Sequence, residues 1–324
     1  MKPLLTDLTS GLFPTAVSDE LLAKCQKSDA LAKQFIPSAD ELRKQDYELI
    51  DPIGDEAYSP LTGLIHRYPD RVLLLPRGNC PSYCRFCFRK SSVGQSANLS
   101  KSQVSEAVDY IKHNSQIHEL ILSGGEPLTL PACELKWLLH QVMSIEHIDW
   151  VRIHTRLPVT SPELAKVFDF SIFANLKKPL YVAIHCNHTD EIDDDFIDFT
   201  DQLRKCGLIL LSQTVLLKGV NDSTHTLDTL FRTLSRNGIR PYYLHQLDRA
   251  LGTSHFRVPL KEGRKLLAAL RGRLSGIALP TYILDLPGGE GKIPAEAEWI
   301  SEGTSSGCYT AYSPVLNKKT GYTE

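Results

Sequence analysis

Seven short apolar, β-rich runs separated by longer stretches of helical periodicity constrain this 324-residue chain more than any other feature. The runs are VLLLP near Val72, ELILSGG near Glu119, VRIHTR from Val151, LYVAIHCN from Leu180, LILLSQTVLL from Leu208, RPYYLHQLD from Arg240 and TYILDLPGG from Thr281. Between them lie SKSQVSEAVDYIKH, ELKWLLHQVMSI, DDFIDFTDQLRKCG and LKEGRKLLAALRGRL, whose apolar residues recur every three or four positions. Strand alternating with helix predicts an α/β fold with a parallel sheet, either open and doubly wound or curled into a partial or complete barrel, and the repetition favours the barrel. Active sites of such folds gather where the strands end, and SGGEP, HTR, HCNH, HQLD and DLPGGEGK fall there. Ahead of the sheet, residues 1–60 read as a helical N-terminal arm and linker. Ser18 precedes DELLAKCQ, Ser38 stands three residues before Glu41 in a capping-box pattern, and DPIGDEAYSP is rich in turn formers. Residues 61–294 form the barrel domain, and residues 295–324 a polar, loosely packed tail.

Charge excludes several function classes. With 36 basic against 38 acidic residues, no broad field exists to attract nucleic acid or an anionic membrane. No apolar stretch approaches the roughly 20 residues a spanning helix needs, and MKPLLTDLTSGLF lacks the pattern of a secretory leader, so a cytosolic protein is expected. In a reducing compartment, eight cysteines argue poorly for disulfides. Five lie singly, whereas Cys80, Cys84 and Cys87 form C-x3-C-x2-C just after a strand. Three thiolates at this spacing suit one metal centre. Closed zinc sites require a fourth ligand, usually a second cysteine pair or a nearby histidine pair, and no second pair exists. An iron-sulfur cubane on three thiolates would keep one iron open for a small molecule.

Two further motifs carry chemistry. In SGGEP, Gly124 and Gly125 permit close backbone approach, and Glu126 offers a carboxylate to an ammonium. In LDLPGGEGKIP, Lys292 lies in a glycine-rich loop after the last strand; Leu286 and Ile293 break a phosphate-loop pattern, which leaves a Schiff-base lysine as the functional alternative to a solvated one. The cysteine triplet, with Phe86 before its last cysteine, resembles the signature of the radical S-adenosylmethionine enzymes. Together with D-x-P-G-G-x-G-K it resembles the lysine 2,3-aminomutase family. The likeness runs from about His66 to Pro294 through HRYPDR, SGGEP, RIHTRLPV, HCNHTDEI, QTVLLKGVND, YYLHQLDRALGTSHFR and SGIALPTYILDLPGGEGKIP.

The resemblance implies a partial (β/α) barrel of the radical S-adenosylmethionine type that carries a [4Fe-4S] cluster, S-adenosyl-L-methionine and pyridoxal 5'-phosphate and converts L-α-lysine to β-lysine. It implies that Cys80, Cys84 and Cys87 ligate the cluster. Phe86, Gly124, Gly125, Glu126 and Gln213 lie at S-adenosylmethionine, while Tyr68, Arg71 and Lys292 hold pyridoxal phosphate. Arg89 binds the substrate α-carboxylate, and Asp248 and Asp285 grip the lysine ε-ammonium. Glutamate or arginine are the competing substrates within the class; a non-catalytic iron-sulfur sensor or scaffold competes from outside it and leaves the Lys292 motif unexplained. The implied partners are an external one-electron reductant, a second copy in a homodimer, and a pathway link to elongation factor P and its lysyl ligase. The family's zinc-bearing C-terminal cysteine cluster has no counterpart here: only Cys308 follows Lys292, and Ser223 stands where another zinc cysteine belongs. The chain thus resembles the short bacterial form that makes (R)-β-lysine for elongation factor P, while retaining Asp285, which some members of that subgroup lack.

Overall fold

A computed structural model describes residues 13–296, 298–302, 308–313 and 318–323. Nine strands form one sheet in chain order: β1 (Leu64–Tyr68), β2 (Arg71–Arg77), β3 (Glu119–Gly124), β4 (Trp150–Thr155), β5 (Leu180–His185), β6 (Ile209–Leu216), β7 (Arg240–Gln246), β8 (Thr281–Leu286) and β9 (Gly291–Pro294). Strands β2 to β8 are parallel, and β1 and β9 run antiparallel along the two edges. The sheet curls into a nearly closed barrel. All seven strands read from the sequence are present, as β2 to β8. The two edge strands are not legible as strands because each is a short return from a tight turn. In β9 this corrects the reading of Lys292 as a loop residue. Gly288 and Gly289 adopt φ of 72° and 80°, reverse the chain, and place Lys292 on a strand in register with Asp285.

Each parallel strand obeys a period of two. Leu120 and Leu122 of β3 pack against the helices, whereas Glu119, Ile121 and Ser123 face the lumen; in β4, Val151 and Ile153 alternate with Arg152 and His154 in the same way. The outer layer owes its helices to the expected signals. Helix Lys101–His113 begins at a capping box of Ser100 and Gln103 and buries Val104, Ala107, Val108 and Ile111, one face at helical spacing. Helices Ala132–Met143, Asp194–Lys205 and Leu260–Arg271 match expectation. Helix Thr224–Arg236 was not foreseen; Ser223, at the position of an expected zinc cysteine, is its N-cap and accepts from the Thr226 amide.

The described part of the arm carries helices Asp19–Cys25 and Asp29–Phe35, capped by Ser18 and Ser28, and the Ser38–Glu41 capping box is present, with turns and bends between and after them. Its first twelve residues, and residues 297, 303–307, 314–317 and 324 of the tail, lie outside the described residues. The described part of the tail carries β10 (Ile300–Glu302), β11 (Cys308–Ser313) and β12 (Lys318–Thr323), a separate antiparallel sheet that the polar composition did not suggest. Among the described residues no helix is long and apolar enough to cross a membrane.

Candidate active site

One cavity of about 750 Å³ occupies the barrel lumen, and every site residue named above lines it: Cys80, Cys84, Cys87, Phe86, Arg89, Tyr68, Arg71, Gly124, Gly125, Glu126, Gln213, Asp248, Asp285 and Lys292. Cys80, Cys84 and Cys87 sit on the loop after β2, at the mouth formed by the strand C-termini. Tyr68 and Arg71 sit at the other end, on the β1–β2 turn, with Arg71 in register with Glu119 at the start of β3.

Close backbone packing positions the cysteine loop. A Cβ on Gly125 would lie 2.1 Å from the Asn79 carbonyl oxygen, beside Cys80, so only glycine lets the two loops meet. Gly124 has φ of 102°. Glu126 fastens the end of β3 to the end of β4: Oε1 accepts from Thr155 Oγ1 at 2.7 Å and the Leu128 amide at 3.1 Å, and Oε2 accepts from the Arg156 amide at 2.8 Å. Burial nevertheless lifts its pKa to about 7. A carboxylate held this way presents a fixed edge to an ammonium in the cavity.

The three thiols are suited to a cluster. Burial raises all three pKa values: Cys87 reaches about 11, with Cys84 adding to it, and Cys80 is also pushed up by Glu126. Without a metal they are neutral thiols, and iron would draw off their protons. Arg156, absent from the sequence-based set, donates from Nη1 to Cys84 Sγ at 2.8 Å. Its other Nη is held by Gln34 Oε1 at 2.7 Å and Glu191 Oε2 at 3.0 Å, and its guanidinium lies between the rings of Phe35 and Phe86 at 4.7 and 5.1 Å. Phe86 is buried against His185 and Phe256.

In the same lumen, Lys292 Nζ donates to both oxygens of Asp285, at 2.6 and 2.5 Å, and His245 Nδ1 stands 3.4 Å from the same carboxylate. Burial would raise Asp285, but the His245 contact and the Lys292 charge outweigh it and bring its pKa to about 2. Asp248 behaves oppositely, lifted to about 7 by burial and then by Asp285. Burial and neighbouring cations keep His154, His185 and His245 neutral, and the ring Nε2 atoms of His154 and His245 have no hydrogen-bond partner. These histidines and Arg152 were quoted in strand motifs without a role. The signal that marks them is a polar side chain at every second position of an otherwise apolar strand. Arg89 Nη2 donates to Asp55 Oδ2 at 2.6 Å.

A cysteine triplet at the mouth of a nearly closed parallel barrel, backed by a glycine-glycine-glutamate turn, defines a radical S-adenosylmethionine enzyme, and residues 75–230 match the Radical SAM superfamily. That family implies a [4Fe-4S] cluster and S-adenosylmethionine. The chain is 40% identical over 84% of its length to the L-lysine 2,3-aminomutase of Methanococcus maripaludis, spanning 63% of that relative. It is 36% identical to the L-lysine 2,3-aminomutase of Clostridium subterminale, over 91% of this chain and 73% of the relative. A glutamate 2,3-aminomutase of Clostridioides difficile is also 36% identical, over 85% of this chain and 65% of the relative. The chain belongs to the lysine 2,3-aminomutase family.

Proposed function

We propose that the protein is a radical aminomutase that converts L-α-lysine to β-lysine by moving the amino group from the α- to the β-carbon. The observation that carries this is the Asp285–Lys292 pair with Asp248 nearby, in the same lumen that the three cysteines line. When bound, the cluster with S-adenosylmethionine supplies a reversible hydrogen abstraction, and pyridoxal phosphate carries the migrating nitrogen.

The chain's own residues supply recognition. Arg89 presents a planar guanidinium to the α-carboxylate. Lys292 tethers pyridoxal phosphate, supported by Tyr68 and Arg71, whose guanidinium lies 3.7 Å over the Tyr68 ring. Asp285, together with Asp248, would receive the distal ammonium of lysine. The γ-carboxylate of glutamate would meet two like charges there, which disfavours it. Phe86, Gly124, Gly125, Glu126 and Gln213 line the part of the cavity assigned to S-adenosylmethionine.

The same reading places the protein in the cytosol, as a homodimer fed by an external one-electron reductant. Its product would go to elongation factor P and its lysyl ligase, a link tested by product chirality, since that use requires (R)-β-lysine. Cys84→Ala is expected to lose the cluster's visible absorbance and turnover. Lys292→Ala is expected to keep iron and lose the absorbance change on adding pyridoxal phosphate. Aminomutase activity surviving in either variant would overturn the assignment.

A further inference from the structure

The turn between arm and barrel does more than connect them. Asp55 places its two carboxylate oxygens on two different arginines, Oδ2 on Arg89 Nη2 at 2.6 Å and Oδ1 on Arg67 Nη2 at 2.8 Å, and all three side chains line the cavity with exposures of 13%, 12% and 17% for Arg89, Arg67 and Asp55. We propose that Asp55 is a positioning residue for carboxylate recognition, holding Arg89 and Arg67 in one orientation so that the pair receives a single substrate carboxylate. This rests on the assignment of Arg89 to the substrate α-carboxylate.

Three observations make the contact a built one. Asp51 Oδ1 and Oδ2 accept from the Asp55 and Glu56 amides, both at 2.9 Å, which locks the turn from within. Gly54, at φ of 69°, packs so tightly on the Gly288–Gly289 turn that a Cβ would lie within 2.8 Å of its backbone. Asp55 is thereby fixed relative to the turn that precedes Lys292. Each arginine also has an aromatic neighbour, Phe88 at 4.2 Å from the Arg89 guanidinium and Tyr58 at 5.6 Å from that of Arg67. Charge favours the same conclusion. Two partly buried guanidiniums repel, and one carboxylate between them leaves a net single positive charge, the complement of one substrate carboxylate.

The test compares L-lysine with L-lysinamide, which lacks the carboxylate, as competing ligands of the cofactor-loaded enzyme. In wild type, lysine should bind far more tightly. Asp55→Ala should raise the lysine KM roughly ten-fold, the loss of a charge-assisted hydrogen bond, leave lysinamide binding and kcat within about two-fold, and retain iron and pyridoxal phosphate. Asp55→Asn, nearly isosteric and still an acceptor for one arginine, should fall between the two and carries the test alone if the alanine variant fails to load its cofactors. Unchanged discrimination in both variants would overturn the proposal, as would tighter lysine binding, which would make Asp55 a competitor of the substrate. A wild-type enzyme indifferent to the carboxylate would overturn the Arg89 assignment itself, and the proposal with it.

Discussion

Single side chains in this lumen act through charge and through contact distance, and both can be tested. Gly125→Ala places a methyl group where the Asn79 carbonyl stands, 2.1 Å away, and both partners are backbone, so the cysteine loop must move. Iron content after anaerobic reconstitution is expected to fall severely while the fold persists, as circular dichroism would register. Asp248 makes a prediction with a sign. Burial and Asp285 lift its pKa to about 7, and in the role proposed for it Asp248 would bind the substrate ammonium in its ionised form. Below that pH the carboxyl is protonated, so the lysine KM should rise roughly ten-fold per unit as the pH falls from about 7. Asp248→Asn should abolish this acid limb.

At this scale the sequence was most legible where a motif repeats a known pattern, as at Cys80, Cys84, Cys87 and Lys292. It was least legible where one residue acts through another. Nothing in RIHTR announces that Arg156 reaches Cys84, because Gln34 and Glu191, which aim it, are far away in the chain.

Elements explain why the arm belongs to the site. Ser18 donates its amide to Ser82 Oγ at 3.0 Å, the Tyr83 amide reaches the Ala16 carbonyl, and the Arg85 amide reaches that of Gln34, so the arm is hydrogen-bonded along the cysteine loop. Glu41, read as a capping residue, also carries the buried charges of Arg85 and Lys90 at 2.6 and 2.7 Å. The Glu48 carboxylate accepts the amides of Thr253 and Ser254 in the loop following Asp248. Capping patterns pointed to the arm's helices and could not reveal this docking, which depends on single polar contacts between distant segments. Glu41→Gln leaves two buried cations short of their counter-charge and should cost about 3 kcal/mol in chemical denaturation. Arg156→Met should lower the reduction potential of the reconstituted cluster, since a hydrogen bond to a ligating sulfur favours the reduced state. An unchanged potential would show that the Arg156 contact has no electronic effect.

The whole molecule is a barrel whose lumen is left open. Closed (β/α) barrels fill that space with branched side chains, whereas here Glu119, Arg152, His154, His185, Tyr243, His245 and Asp285 face it from β3, β4, β5, β7 and β8. The alternation of those polar positions with buried ones was present in the runs from which the strands were read, although the sequence reading marked only the strand ends as the place of a site. The edges were hidden, because β1 and β9 are too short to carry a period of their own. The outcome is a continuous chamber lined by the cysteines after β2, by Asp248 after β7 and by Asp285 and Lys292 on β8 and β9. The most direct measurement is anaerobic incubation of the reconstituted, reduced protein with S-adenosylmethionine, pyridoxal phosphate and either L-lysine or L-glutamate, followed by chiral separation of the amino acids. β-Lysine formed from lysine, with no β-glutamate from glutamate, is the predicted result; β-glutamate as the main product, or no β-amino acid from a fully loaded protein, would contradict it.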